Sequence, residues 1–514
     1  MPTLRAEIQR ASESSFSQTE KRISLSQPLA SVSLLLATGG DKRIWPDAAT
    51  GRNRYGTRTT PTDDEISFSS STASNVSADG YAAADRAWKH LINSGSPTTV
   101  TVDRWFDDTR EQILGALSCT DAELVFAASG TDAELVALCL LASLSKRPLT
   151  NIFVAPDETG NGVPRAAAGL HFSDQTALGI SIEPGTPIAG LPPGRIEVRS
   201  IALRHPNGEP RENHEIDGDL VATVTEEIKR DRDVVVHVLD TSKTGLTGVT
   251  REAARHVSAL APGRVHVIID ACQLRCPIAA LRQDLADGFL VAITASKFIA
   301  APPFAGALIL PSAIVEELRR AVEIPTGLTD YTAALDWPLA LRERMPFTFR
   351  SEMNLGLGLR WAAGLAHLTR LSSTSSAYHD LIKAHFVDLI RSRVQRIAGV
   401  VLHDDDDGDH LVSRSIVPLT VLNSNGAFAT FEEASAIQAC LRREDNGPIC
   451  HVGQPVQVGP RAALRVSASA LDVAAASERM TMGLSLEAAC RPLESDLDIF
   501  FEKWASGHRR LQDF

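Results

Sequence analysis

Five short runs of almost unbroken apolar residues recur through the middle of the 514-residue chain. They read NIFVA (Asn151 to Ala155), VVVHVL (Val234 to Leu239), VHVIID (Val265 to Asp270), FLVAIT (Phe289 to Thr294) and FAGALIL (Phe304 to Leu310). A strand with one wet face alternates apolar and polar residues, so runs this uniform predict strands covered on both sides, as in a mostly parallel sheet between helical layers. A sixth run, LVFAAS from Leu124, is followed by a Gly-Thr break and the helically spaced TDAELVALCLLASL, which reads as strand, turn, helix. The expectation is an α/β lobe over residues 91–325. After Pro325 the texture changes to long helical stretches such as LGLGLRWAAGLAHL, then to separated strand-like pieces (Ser415 to Leu422, Ala463 to Ser469). That predicts a smaller α+β C-terminal lobe over 326–514. Residues 1–90 read as an N-terminal arm and entry segment, because their first ~65 residues are rich in Ser, Thr, Arg and Gly with little periodicity.

Composition removes several function classes. Apolar residues at 44% and charged residues at 22% are ordinary for a globular protein. The net charge of −12, with no basic tract to neutralise a phosphate backbone, argues against nucleic acid. No apolar run reaches the ~20 residues of a membrane span, and the polar N-terminus does not read as a signal peptide. Seven scattered cysteines, an odd number, suit reduced thiols in a cytoplasmic protein better than a disulfide framework. Cys272 and Cys276 lack the further ligands of a zinc site. The acidic run Asp404 to Asp407 with Asp409 has the wrong spacing for a calcium loop and reads as a solvated hairpin turn.

In an open α/β sheet, ligands sit at the C-terminal ends of the strands, and four sequence features fall there. Ser129-Gly130-Thr131 follows a strand and opens a helix, which presents backbone N–H groups and a positive helix end to a phosphate. Asp270 ends VHVIID, where a carboxylate is costly unless it meets a cation. Gln273 lies three residues on. Lys297 follows FLVAIT within TASKF, between apolar residues that favour an amine in nucleophilic use. A phosphate cradle, a carboxylate and a lysine at successive strand ends are what pyridoxal 5'-phosphate requires.

On these segments the chain resembles the fold-type I pyridoxal-phosphate enzymes, in particular the class V aminotransferase group that includes cysteine desulfurases and kynureninase-like lyases. The matching pieces are FSSSTAS (Phe68 to Ser74), DAELVFAASGTDAEL (Asp121 to Leu135), VHVLDTSKTG, DACQ (Asp270 to Gln273), TASK (Thr294 to Lys297) and ALRVSAS (Ala463 to Ser469), in family order. The resemblance implies a seven-stranded, mostly parallel sheet and a Schiff-base lysine at Lys297. It also implies that Asp270 pairs with the ring nitrogen and Gln273 donates to the ring oxygen, with Ser242 standing in for the family's Asn there. Gly130 and Thr131 would hold the phosphate with help from Thr294 or Ser296. Arg465 would bind the substrate α-carboxylate, a task suited to a bidentate guanidinium.

The sequence departs from the family where an aromatic or His usually stacks on the ring. The stretch Pro156 to Phe172 has no aromatic at the expected place, which leaves Glu158, Thr159 or Asn161 to cover it and His171 too far along. Among reactions, aminotransfer of an amino-acid-like substrate is the first expectation, since it needs only the lysine, the electron sink and a carboxylate clamp. A lyase uses the same core. A desulfurase needs a mobile thiol, and in HVGQPV the aligned position is Val452, with Cys450 two residues early. A non-catalytic binding protein would have no use for the lysine, Asp270 and Gln273 together. The arm adds Arg52 and Arg54 as candidates for selecting an anionic substrate. Family dimers share active sites, so a homodimer is implied, with Thr348 as the contact to the partner's phosphate.

Overall fold

The computed structural model describes residues 30–93, 97–321, 323–403, 415–423, 425–445 and 447–512; the acidic run at 404–409 lies outside them. The first strand, β1 (Ile66–Phe68), belongs to the smaller of two sheets, and the next seven build the larger. These are β2 (Glu123–Ala127), β3 (Leu149–Val154), β4 (Ile196–Ile201), β5 (Asp233–Leu239), β6 (Val265–Ala271), β7 (Leu290–Thr294) and β8 (Gly306–Leu310), in the order β2-β8-β7-β6-β5-β3-β4. β8 runs antiparallel to both β2 and β7, and all other pairings are parallel. The C-terminal ends of β2 to β7 therefore share one edge of the sheet.

The uniform apolarity of these strands has a direct cause. Phe126, Ile152, Val236, Ile269 and Ile293 enter one core, while their neighbours Val125, Val235, Ile268 and Ala292 enter another on the opposite face. The helix Gly130–Leu144 lies in the second core and is buried on nearly every side, which explains why ALCLLASL shows little polar face. Strand β4 did not stand out in the sequence because it is the edge strand: IEVRSI leaves Val198, Arg199 and Ser200 exposed.

The smaller sheet has the order β1-β11-β12-β10-β9, with β9 (Val400–Leu402), β10 (Ile416–Val421), β11 (Cys450–Val458) and β12 (Arg461–Ser467). β1 pairs in parallel with β11, so a strand from the entry segment completes a sheet otherwise built by the last quarter of the chain. Gly453 to Val456 of β11 form a bulge, the one context in which Pro455 fits a central strand. Phe68 of β1 packs against Phe386 and Phe500, at 6.0 and 5.5 Å between ring centroids.

The described part of the arm is a packed strap. Val32, Leu35, Leu36 and Ile44 are buried. Fully buried Arg360 fastens the strap through backbone carbonyls, donating to Leu36 (3.1 Å), Thr38 and Gly39 (2.7 Å) and also to Phe304 (2.7 Å). A second anchor is Glu65, which accepts from Arg52 Nη1 (3.1 Å), Asn75 Nδ2 (3.0 Å) and His451 Nε2 (2.7 Å). Arg52 is thus committed to holding the arm, and Arg54 is exposed.

Burial alone would raise the Glu65 pKa, but the hydrogen bonds from His451 and Arg52 outweigh it and bring the carboxyl down to about 2. A lowered carboxyl contributes stability that is present above its unfolded value and is lost as pH falls towards about 2. Glu65→Gln should cost about 1–2 kcal/mol at pH 7. Denaturant unfolding from pH 7 to pH 2.5 should show the gap to the wild type closing at the acid end.

Candidate active site

The edge shared by the C-terminal ends of β2 to β7 is where polar residues emerge from an apolar sheet. Among the described residues, six non-glycine residues have left-handed backbone, and four of them (Ala155, Leu274, Ala300 and Phe304) lie in the loops that leave β3, β6 and β7 at this edge. Such conformations cost of order 1 kcal/mol each and persist where the surroundings fix the loop.

Three separate segments meet at Gly130. A methyl group there would sit 2.5 Å from Cys272 Sγ and 3.5 Å from Thr294 Cγ2, so the helix opening after β2 lies directly against DACQ after β6 and TASK after β7. Ser129 caps the helix, its hydroxyl accepting from Asp132 N–H at 3.3 Å while donating to the Asp132 carboxylate. The N–H groups of Gly130 and Thr131 stay in the first turn, where no intrahelical acceptor exists. Asp132 is an acid at the mouth of this cradle, and burial pushes its carboxyl up to about 6. Arg43 and Ile44 of the arm reach the same place: Ile44 packs with Ala128, and the Arg43 guanidinium covers the Phe304 ring at 4.9 Å.

Asp270 is the penultimate residue of β6, accepting from Cys272 N–H at 3.0 Å. Behind it stands His237, the single polar residue within the VVVHVL run. Alternation along β5 turns His237 towards the helix Gly130–Leu144, where its Nε2 lies 3.1 Å from a Glu134 oxygen and 3.7 Å from Asp270 Oδ2. Burial opposes a charged imidazole, but Glu134 and Asp270 together raise its pKa. The pairing is by charge rather than by aligned hydrogen bonds: among the described residues neither Glu134 oxygen nor His237 Nδ1 has a hydrogen-bond partner.

Lys297 follows β7, partly buried, and among the described residues it makes no ion pair; its carbonyl accepts from Ser74 Oγ at 3.1 Å. Ser296 beside it is also partly buried. Thr294, in contrast, donates its hydroxyl proton to the Cys272 carbonyl at 2.8 Å and has none left for a phosphate. Ser242 is fully buried, donating to Glu158 Oε2 (2.6 Å) and accepting from the N–H groups of Thr244 and Leu246. It serves the turn after β5. Gln273 donates one N–H to the Ser71 carbonyl (3.1 Å), and its amide oxygen accepts from Arg275 (3.3 Å), which leaves one N–H uncommitted.

Arg465 comes from β12 of the smaller sheet and is buried facing this edge. Its Nε and Nη2 donate to the Gln454 carbonyl (3.0 and 2.6 Å), and Nη2 also donates to Thr72 Oγ1 (2.8 Å). Nη1 reaches only the carbonyls of Ser71 and Lys243, both at 3.5 Å. Among the described residues it has no carboxylate partner, and burial brings its pKa down to about 10. In the loop expected to cover a ring, Glu158 is paired with Arg204 and bonded by Thr244 and Ser242, while Asn161 Oδ1 accepts from Lys243 Nζ at 3.2 Å. His171 is elsewhere, bonded to Tyr331 at 2.7 Å.

Sequence reasoning missed Glu134, His237 and Lys243. A polar residue inside an otherwise apolar, two-face-buried strand was the available signal for His237, because it demands a partner. Cys450 does not supply the mobile thiol of a desulfurase: it is buried in β11, and burial pushes its thiol up to about 11.

No family model and no curated protein sequence matches the chain. Solved structures do match it. Oryza sativa TDC with PLP and tryptamine is 15% identical, covering 87% of this chain and 83% of that one at a TM-score of 0.50. A NifS-like protein is 12% identical over 86% of this chain and 98% of that one, at 0.52. The cysteine desulfurase CsdA from Escherichia coli is 13% identical over 87% and 95%, at 0.50. At these identities the likeness is one of architecture, and it bears out the expected fold: a mostly parallel seven-stranded sheet with a smaller second sheet, shared with a structure solved with PLP.

The close approach at Gly130 can be checked by stability. Gly130→Ala should destabilise the protein by about 1–3 kcal/mol through overpacking against Cys272. In urea unfolding of both single variants and the double variant, Cys272→Ala should recover most of that loss; a coupling near zero would mean that the two residues do not touch.

Proposed function

We propose that the chain is a pyridoxal-phosphate-dependent enzyme acting on an amino acid, with aminotransfer as its reaction and Lys297 as the residue that carries the cofactor. The observation that supports this most is the meeting of Lys297, Asp270 and the uncapped N–H groups of Gly130 and Thr131 at one sheet edge, opposite a buried arginine without an acid. These residues fit the group. The bare Gly130 lets the helix end close against Cys272 and Thr294, and Ser71 Oγ is a buried hydroxyl with no partner among the described residues.

The cofactor, when bound, supplies an electron sink for charge developing at a substrate α-carbon. The chain supplies the rest. The first-turn N–H groups of Gly130 and Thr131, with Ser296, bind the phosphate at the positive helix end. Asp270, with His237 and Glu134 behind it, holds a proton at the ring nitrogen. The remaining Gln273 N–H is available to the ring oxygen. Lys297 Nζ is placed to take and return the α-proton, and Arg465 Nη1 to hold the α-carboxylate. Thr294 and Ser242 have no part in this assignment, since their hydroxyl protons are spent within the protein.

Aminotransfer is preferred to thiol-based desulfuration because Cys450 is fixed within a strand. We further propose a cytoplasmic homodimer of a large lobe (91–325), a C-terminal lobe (326–514) and the N-terminal segment. All seven cysteines are unpaired, no helix among the described residues is long and apolar enough to cross a membrane, and Thr348 is exposed for a partner chain.

Purified protein should take up pyridoxal phosphate with visible absorption, and borohydride should fix it to Lys297, as read by peptide mass. Lys297→Ala should lose both and reduce turnover by on the order of 10²–10⁴-fold. An amino donor should yield its keto acid with matching amination of an acceptor. Carbon dioxide or sulfide in place of that exchange would replace aminotransfer by a lyase reaction.

A further inference from the structure

The site holds more positive charge than one α-carboxylate requires. Lys243 follows Ser242 in the turn after β5, and its backbone carbonyl is a neighbour of Arg465 Nη1 at 3.5 Å. Its ammonium is held by an amide oxygen, Asn161 Oδ1 at 3.2 Å, and not by an acid. The nearby carboxylate of Glu158 is already occupied by Arg204, Ser242 and Thr244. Burial, then the charges of Arg465 and Lys297, lower the Lys243 pKa to about 8, so the cations lie close enough to repel. Glu158 is the carboxylate felt by both cations, and it is already paired with Arg204, so two repelling, largely buried cations share an acid that a third cation holds, an arrangement suited to an occupant bearing two negative charges.

The cofactor's phosphate is not needed to explain this pair. The helix end at Gly130 and Thr131 serves a phosphate, and it lies against Cys272 and Thr294 on the β6–β7 side. Lys243 belongs to the β5 side, with Arg465. The arm arginines do not compete for the role, because Arg52 is paired with Glu65 and Arg54 is exposed.

We infer that Lys243 and Arg465 together bind the two acidic groups of one ligand, Arg465 the α-carboxylate and Lys243 a side-chain acid, so that the substrate is an amino acid with an anionic side chain. The inference deepens the proposed function and rests on it for the identity of the α-carbon, while the paired anion site itself needs only these two residues.

The test uses dicarboxylates that carry no amine and cannot react. Calorimetric titration of the full chain with succinate and with butyrate should show succinate binding about tenfold more tightly or better. Lys243→Gln should bring the two affinities together, and Lys243→Arg should keep them apart, which separates loss of charge from loss of fold. No succinate preference in the wild type, or a preference that survives Lys243→Gln, would overturn the inference. So would a Lys243→Gln variant that loses pyridoxal-phosphate affinity while keeping its preference, since Lys243 would then serve the phosphate. Cofactor uptake is read separately by absorption: a chain that takes up no pyridoxal phosphate fails the proposed function, yet its succinate preference remains measurable.

Discussion

Covering both faces of the large sheet governs everything else in the molecule. Successive residues of β2, β3, β5, β6 and β7 enter two different cores, so no polar side chain can be placed along them without a buried partner. Polar chemistry is displaced to the strand ends, and because the strands from β2 to β7 run the same way, those ends collect at one edge. The polar residues inside them follow the rule: His237 of β5 is flanked by Glu134 and Asp270, and in β3 Thr150 donates to Glu227 and Asn151 to the Ala167 carbonyl.

Much of this was readable in the sequence. Lys297 and Asp270 stand out because each ends or follows an apolar run, and the direction of the run places them. The helix opening at Ser129-Gly130-Thr131 was legible from the change of period. What the sequence did not disclose are the hydrogen-bond partners of short side chains. Whether a hydroxyl is free for a ligand depends on an acceptor brought in by tertiary structure, and Thr294 turned to Cys272 and Ser242 to Glu158. The arm read as a loop for a related reason. Its fastening through Arg360 uses the arm's carbonyls, which every residue type carries, so no side-chain pattern records it.

Three buried arginines share this mode of binding with different consequences. Arg360 is saturated by carbonyls and fixes the arm. Arg275, with its pKa lowered to about 9 by burial and then by Arg465, stitches the loop after β6 to Ser70, Ser415 and Ala468 while stacking on Phe298 at 4.9 Å. Arg465 is the one whose outer nitrogen is held only at the limit of hydrogen bonding. The first two are spent on the protein's own carbonyls and hydroxyls, and the third leaves a donor to spare.

The parallel pairing of β1 with β11 also orders events during synthesis. Residues 66–68 leave the ribosome long before residues 450–452 exist, whereas every strand of the large sheet lies between 123 and 310. The large sheet can close while β1 is still an unpaired edge, and the smaller sheet is sealed only when the C-terminal strands arrive. Because Arg465 is carried on the last of those strands, its guanidinium reaches the edge of the large sheet only after every strand of that sheet has been made.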